Sequence, residues 1–316
     1  MKKIITLLIV LLVLCGCKQE ELHVIVDYEY SNMGIIVPTG APALAFLNSI
    51  DDPTFETNSN PKNIVAMMNS NSDKRIIVLD TVTGINAIKK GAPYKLAFNI
   101  TFGNYYLAAT GNDDNVSLDD NDNVVVFGDT GSSLFDYLFE GIKVNKEIVP
   151  SVSDAAKCLA MGKNLESDNI VDYVLVAEPV LSSTLNNKEL PTYGKSYVYA
   201  DIQDLYREKT NKELIQASIF IKDDNYIQDF NDYLYYMETN IDNVLNNNTY
   251  VEDILKNHDN EVIKNTFGLS KEMITNVLKT NSINLGFKKA IDNKDNIDYF
   301  LSILNMEGTN EEIYYQ

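Results

Sequence analysis

The sequence predicts an α/β fold in two lobes for this 316-residue chain, on three observations. Apolar strand-like runs alternate with runs of helical apolar spacing, which is the pattern of βαβ units and a mostly parallel sheet. The alternation breaks at the polar stretch GNDDNVSLDDNDN, residues 111–123, and restarts after it. Beyond residue 216 one more strand-like run gives way to helical sequence up to the end.

The elements follow in order. MGIIVP (33–38) reads as a buried strand and APALAFLNSI (41–50) as the helix after it. NPKNIVAMMNS (60–70) puts Ile64, Met67 and Met68 at helical spacing, KRIIVLD (74–80) is a strand, and TVTGINAIKKG (81–91) is a helix ending at Gly91. After the polar stretch come the strand NVVVFGD (123–129), the helix SSLFDYLFEGI (132–142), the strand KEIVPS, the helix SDAAKCLAMGKNL (153–165) and the strand DYVLVAEP (172–179). QASIFIKDD (216–224) is the lone later strand. The helix from Tyr226 carries Ile227, Phe230, Leu234, Met237, Ile241 and Val244 three and four residues apart, a stripe for core packing rather than a cofactor pocket.

The N-terminus carries an address. Met1, Lys2 and Lys3 precede Ile4 to Leu14, whose one polar side chain is Thr6. That run is too short to span a bilayer, for which about 20 apolar residues are needed, and its layout is that of an export signal. The following Leu14-Cys15-Gly16-Cys17 resembles the bacterial lipobox, which implies a lipoprotein signal peptide over 1–16, lipidation of Cys17 (diacylglyceryl and palmitate chains) and a lipid-anchored tether over 17–32. A metal pair at Cys15 and Cys17 is a poor rival, because only Cys158, His23 and His258 remain as soft ligands. A secretory signal without lipid is the stronger alternative. Two acyl chains, at roughly 0.8 kcal/mol per buried methylene, would hold the protein at the extracytoplasmic face of the cell membrane without a spanning helix.

Composition removes several function classes. The formal net charge is −19, so nucleic acid is an unlikely partner: neutralising phosphates takes clustered Lys and Arg, and the arginines here are Arg75 and Arg207 alone. With Cys17 lipidated, Cys158 has no partner for a disulfide, so stability must come from core burial. GDTGSS (128–133) lacks the Lys of a phosphate-binding loop. Ser132 and Ser133 have no obvious histidine base, since His23 falls in the tether and His258 reads as the end of a surface helix. Asp119 and Asp120 read as a solvated turn. The expectation is therefore no enzyme, no cofactor and no metal.

VPTGAPALAFL, NPKNIVAMMNSNSDKRIIVL, KKGAPYKLAFNITFGNYYLA, VAEPVLSS and YADIQDLYREKT occur in an order and spacing that resemble the solute-binding proteins of nitrate, taurine and sulfonate type ABC importers, over roughly residues 33–245. The resemblance implies a two-lobed type II periplasmic-binding fold, each lobe a mixed, mostly parallel sheet flanked by helices, with the ligand cleft between lobes. It implies lobe one over 33–111 and 216–316 and lobe two over 112–215. It also implies a monomer that captures a small solute and delivers it to an ABC permease and its ATPase. The same fold could instead serve a lipid-anchored sensory or adhesion module without transport, because fold does not fix function.

In open α/β sheets ligands sit beyond the carboxyl ends of strands, at helix starts whose N–H groups suit polar or anionic groups. This places candidates at Thr39, Gly40 and Ala41; at Thr81 and Thr83; and at Asp129, Thr130, Gly131 and Ser132. Each hydroxyl has capping as its ordinary role. Phe102, Asn104 and Tyr105 are an aromatic and amide wall for the ligand or edge-of-core packing. Glu178 faces the cleft or holds a hinge. None of these loops holds an arginine to grip a sulfonate or carboxylate in a fork, which leaves uncharged, zwitterionic and cationic solutes open.

Overall fold

The computed structural model describes residues 33–70, 72–112, 117–223 and 227–315, with the backbone alone for 227–232. The signal, Cys17 and the tether lie outside the described residues, as do the side chains of Ile227 and Phe230.

Among the described residues, eleven strands form two sheets. The first contains β1 (Ile35–Pro38), β2 (Phe55–Asn58), β3 (Ile76–Asp80), β4 (Tyr94–Thr101), β10 (Ala217–Lys222) and β11 (Leu285–Lys289), in the order β11-β4-β10-β3-β1-β2. The second contains β5 (Tyr105–Ala109), β6 (Asn123–Phe127), β7 (Asn145–Val149), β8 (Tyr173–Ala177) and β9 (Tyr197–Asp201), in the order β7-β6-β8-β5-β9. Strands β2, β1 and β3 are parallel, and β10 is antiparallel to both β3 and β4. In the second sheet β6 is parallel to β7 and β8, while β5 is antiparallel to β8 and β9.

Side chains alternate across each sheet, and the inner strands β1, β3, β4, β5, β6, β8 and β10 are buried on both faces, while the edge strands β2, β7, β9 and β11 stay partly exposed. Ile35, Val37, Ile76 and Val78 pack with the 3₁₀ segment Ala41–Asp51 and with α7 (Ile227–Asn246), α8 (Asn248–Asn257), α9 (Asn260–Phe267) and α10 (Lys271–Thr280). Leu234, Met237, Ile241 and Val244 of α7 are buried there, as the stripe predicts. Ile36, Ile77 and Leu79 face the other way, onto α1 (Pro61–Asn69), α2 (Thr81–Lys89) and α11 (Lys294–Ile303). That cluster continues into the second sheet through Tyr105, Leu107, Val124, Val126 and Leu175, under α3 (Gly128–Leu138) and α6 (Ile202–Thr210). The outer face of the second sheet, with Ala108, Val125 and Val174, packs on α4 (Val152–Met161) and α5 (Val180–Leu185). Full burial of each such Ile, Leu or Phe contributes roughly 1.5–3 kcal/mol.

Three expectations need correction. First, β5 belongs to the second sheet, so the chain leaves lobe one between Thr101 and Tyr105, ahead of the expected boundary at Gly111. The 111–123 stretch joins β5 to β6 within one sheet. Of its described residues, Ser117, Asp119, Asp120 and Asn121 are exposed and Leu118 is a buried anchor. Second, the C-terminal region is not all helix, because β11 pairs with β4 and closes the edge of the first sheet. Third, residues 41–51 are a 3₁₀ segment interrupted by a non-helical Phe46, not a regular helix.

Candidate functional site

The parallel strands of both sheets end on the same gap. From lobe one these ends are Thr39 after β1, Asp80 after β3 and Gln216 before the antiparallel β10; from lobe two they are Phe127, Glu178 and Asp201, with Asn104 and Tyr105 entering antiparallel β5. Residues 102–104 form one crossing between lobes. Gly103 has φ +97°, and a Cβ there would lie 2.3 Å from Gln203 Cγ, so this crossing is built for glycine. Asn284 Nδ2 donates to the Gly103 carbonyl at 2.9 Å, and the Tyr106 hydroxyl donates to the Ser282 carbonyl at 2.8 Å. Away from this crossing, Tyr137 and Tyr299 join their hydroxyls at 2.9 Å across the lobes.

Helices that start at these edges do so in two ways. Asp80 Oδ1 accepts from the Thr83 amide and hydroxyl, both at 2.9 Å, and caps α2. Glu178 accepts from the Ser182 amide at 3.0 Å and its hydroxyl at 2.6 Å, at the start of α5. Asp201 Oδ1 accepts from Gln203 N and Asp204 N, at 2.9 and 3.1 Å, and caps α6. By contrast, among the described residues no side chain caps α3 or the 41–51 segment. Gly40, at φ +98° and ψ −146°, is in a conformation nearly restricted to glycine, and its N–H is spent on the Phe267 carbonyl.

The sequence candidates divide accordingly. Ala41 is buried in the lobe-one core. The Thr81 hydroxyl is 2.6 Å from Ser218 Oγ inside the sheet, and the Thr83 hydroxyl completes the Asp80 cap, so both have structural partners. Phe102 lies on the β11 side of β4, with Lys288 Nζ 5.0 Å from its ring centroid. Thr39, Thr130 and Ser132 stand at the two uncapped starts; Asp129 is exposed there, and Gly131 seats α3 with its Cα side close to Leu175. Asn104 and Tyr105 lie at the lobe crossing: Asn104 Nδ2 donates to the Glu178 carbonyl at 2.5 Å, and the Tyr105 amide donates to Gln203 Oε1 at 2.8 Å.

Sequence reasoning missed Asp80, Asp201, Gln203 and Gln216. An acid that ends an apolar strand directly before a helix is a capping signal, and IIVLD-TVT and YAD-IQD both carry it. Burial holds the Asp80 carboxyl above the usual range, against the lowering effect of its bonds to Thr83 and Val82. Burial also raises the Tyr105 phenol; the Asp80 charge adds to this and a hydrogen bond from Gln216 opposes it. Further along the gap a cavity of about 550 Å³ opens between α5 and α10, lined by Pro179, Ser182 and Asn186 on one side and Ser270, Glu272 and Asn276 on the other.

No protein-family model and no curated protein matches the chain. Solved structures do. An ABC transporter protein from Parabacteroides distasonis superposes with a TM-score of 0.67 at 15% identity, covering 89% of this chain and 98% of the other. The periplasmic aliphatic sulphonate binding protein SsuA of Escherichia coli gives 0.61 at 13%, covering 90% and 93%. A Candida albicans protein described as having the generic periplasmic binding protein fold gives 0.50 at 9%, covering 88% and 92%. Identities this low speak to architecture, and the two mixed sheets with strand ends meeting at the 102–104 crossing make this chain a periplasmic-binding fold.

Proposed function

We propose that the protein is the extracytoplasmic, lipid-anchored solute receptor of an ABC importer, capturing a small molecule in the gap between its lobes and presenting it to a permease. The observation that carries this reading is the convergence of strand ends from both sheets on one gap, with the uncapped starts of α3 and the 41–51 segment facing it. Thr39 and the α3 start, through Thr130, Gly131 and Ser132, are the proposed contacts, joined by Asn104, Tyr105 and Glu178 at the crossing. Thr81 and Thr83 support them from behind. Solute contacts made by both lobes exist only when the lobes close, so binding shifts an open and closed equilibrium by that differential affinity. Among the described residues no helix is long and apolar enough to cross a membrane; the proposed anchor is the acylated Cys17.

The test is small-angle scattering and melting of the intact chain, in mild detergent, with and without a bacterial small-molecule extract. A smaller radius of gyration and a higher melting midpoint are expected, since ligand at a hundred times its dissociation constant adds about 2.7 kcal/mol. No change in either quantity overturns solute capture. Cys17→Ser should move the protein from the membrane fraction to the soluble one.

A further inference from the structure

The acceptors at the lobe crossing exceed the donors that could serve them. Asn104 is 6% exposed, and its Oδ1 is fully buried with no partner among the described residues, although its Nδ2 lies against Glu178. Gln216 bonds the Tyr105 phenol through its side-chain amide, and its Oε1, on the lobe-one side of the gap, is likewise buried with no partner among the described residues. A buried carbonyl oxygen in this state costs about as much as a lost hydrogen bond, and a native structure retains one where something else supplies the donor.

The charges point the same way. Asp80, Glu178 and Asp201 border the same crossing, and their partners among the described residues are amides and hydroxyls, not cations. Nearby cations are committed elsewhere: Arg207 to Asp204 at 2.8 Å and Lys288 to Glu213 at 2.7 Å. A sulfonate would add three acceptor oxygens and a negative charge to this set, inside a chain of net charge −19. An ammonium brings donors, no acceptor and the opposite charge. The carboxylates also fill the helix starts that would otherwise attract an anion.

We infer that the solute presents an ammonium or similarly donor-rich cationic group to Asn104, Gln216 and the carboxylates Asp80 and Glu178, and is an amine or zwitterion rather than a sulfonate-like anion. Any anionic end of a zwitterion has the uncapped start of α3 available. The inference rests on the solute-capture reading, so its test separates the two.

The same extract is divided by ion exchange at pH 7 into cation-retained, unretained and anion-retained fractions, each melted with the intact chain. Expected is a shift from the cation-retained or the unretained fraction, with a bound molecule that carries a cationic nitrogen by mass spectrometry. Asp80→Asn, which keeps a capping oxygen, should weaken that binding by about tenfold or more, and Gln216→Leu should do likewise. A shift confined to the anion-retained fraction, a bound molecule without a cationic nitrogen, or unchanged affinity in both variants overturns the inference and leaves solute capture standing. Silence from the undivided extract overturns solute capture, and this inference with it.

Discussion

Helices α2, α5 and α6 begin on carboxylates of the chain itself, whereas α3 and the 41–51 segment begin on bare backbone. All five starts face the same gap, so position along the fold does not separate them. What separates them is whether the first-turn N–H groups already have an acceptor. A capped start gives its N–H groups to the fold, so removing the cap should cost stability whether or not the carboxylate also meets the solute. An open start is free to meet a solute, and its substitution should cost affinity.

Seating gives the largest contrast. At Gly84 of α2 an added Cβ would lie 2.0 Å from Phe220 Cζ, whereas at Gly131 of α3 it would lie 3.1 Å from a flexible Leu175 methyl. Gly84→Ala is expected to lose about 1–3 kcal/mol through overpacking, and Gly131→Ala less than about 1 kcal/mol, read by urea denaturation. Equal losses would break the distinction between a helix wedged on the sheet and one with room to adjust.

Capping comes next. Asp80→Ala should lose about 1 kcal/mol, because the Thr83 amide and hydroxyl both lose their acceptor. Ser132→Ala removes a buried hydroxyl but no cap, and should cost less than about 1 kcal/mol while weakening solute binding. A Ser132→Ala that unfolds the protein at normal affinity would reverse the assignment.

Asp80→Asn sharpens the same point through pH. Burial raises the folded Asp80 carboxyl above its ordinary 3.8, so ionising it costs more in the folded state than in the unfolded. The penalty is absent below 3.8 and complete above the folded value. Asn can accept the same cap bonds and never ionises, so the variant should gain on the wild type as pH rises through that window. A constant gap from pH 3.5 to 7 would show that the carboxyl is not desolvated.

The sequence is most explicit where one physical signal acts alone. Strands β1, β3, β6, β8 and β10 are continuous apolar runs, and the α7 stripe has helical period; all are plain in the letters. The transfer between lobes is not, because it takes only Phe102, Gly103 and Asn104 and carries no change of composition, while the polar 111–123 stretch looks like a boundary and links β5 to β6 of one sheet. Strand β11, with two lysines in LGFKK, has little apolar content and depends on β4 for its pairing. At the site, strand-end reasoning found both open starts. It could not tell that the Thr81 and Thr83 hydroxyls were already engaged, because the Thr81 partner, Ser218, lies 137 residues away.

The smallest effect concerns the opposite pole of a helix. His258 ends α8, where Nδ1 is 2.7 Å from the Ile254 carbonyl and Nε2 is 3.1 Å from Asp51 of the 41–51 segment. Burial opposes the charged ring, but the Ile254 carbonyl and the Asp51 carboxylate outweigh it, and the folded imidazole titrates above its usual 6.5. Protonation therefore favours the folded state. The contribution is complete below pH 6.5 and disappears as pH rises through the folded value, and at a partly exposed helix end it is worth a few tenths of a kcal/mol. The melting gap between wild type and His258→Gln should narrow from pH 5.5 to 8.5 and shrink with added salt. A gap that widens with pH would mean that the neutral ring does the holding, and that this end of the 41–51 segment is fixed by packing alone.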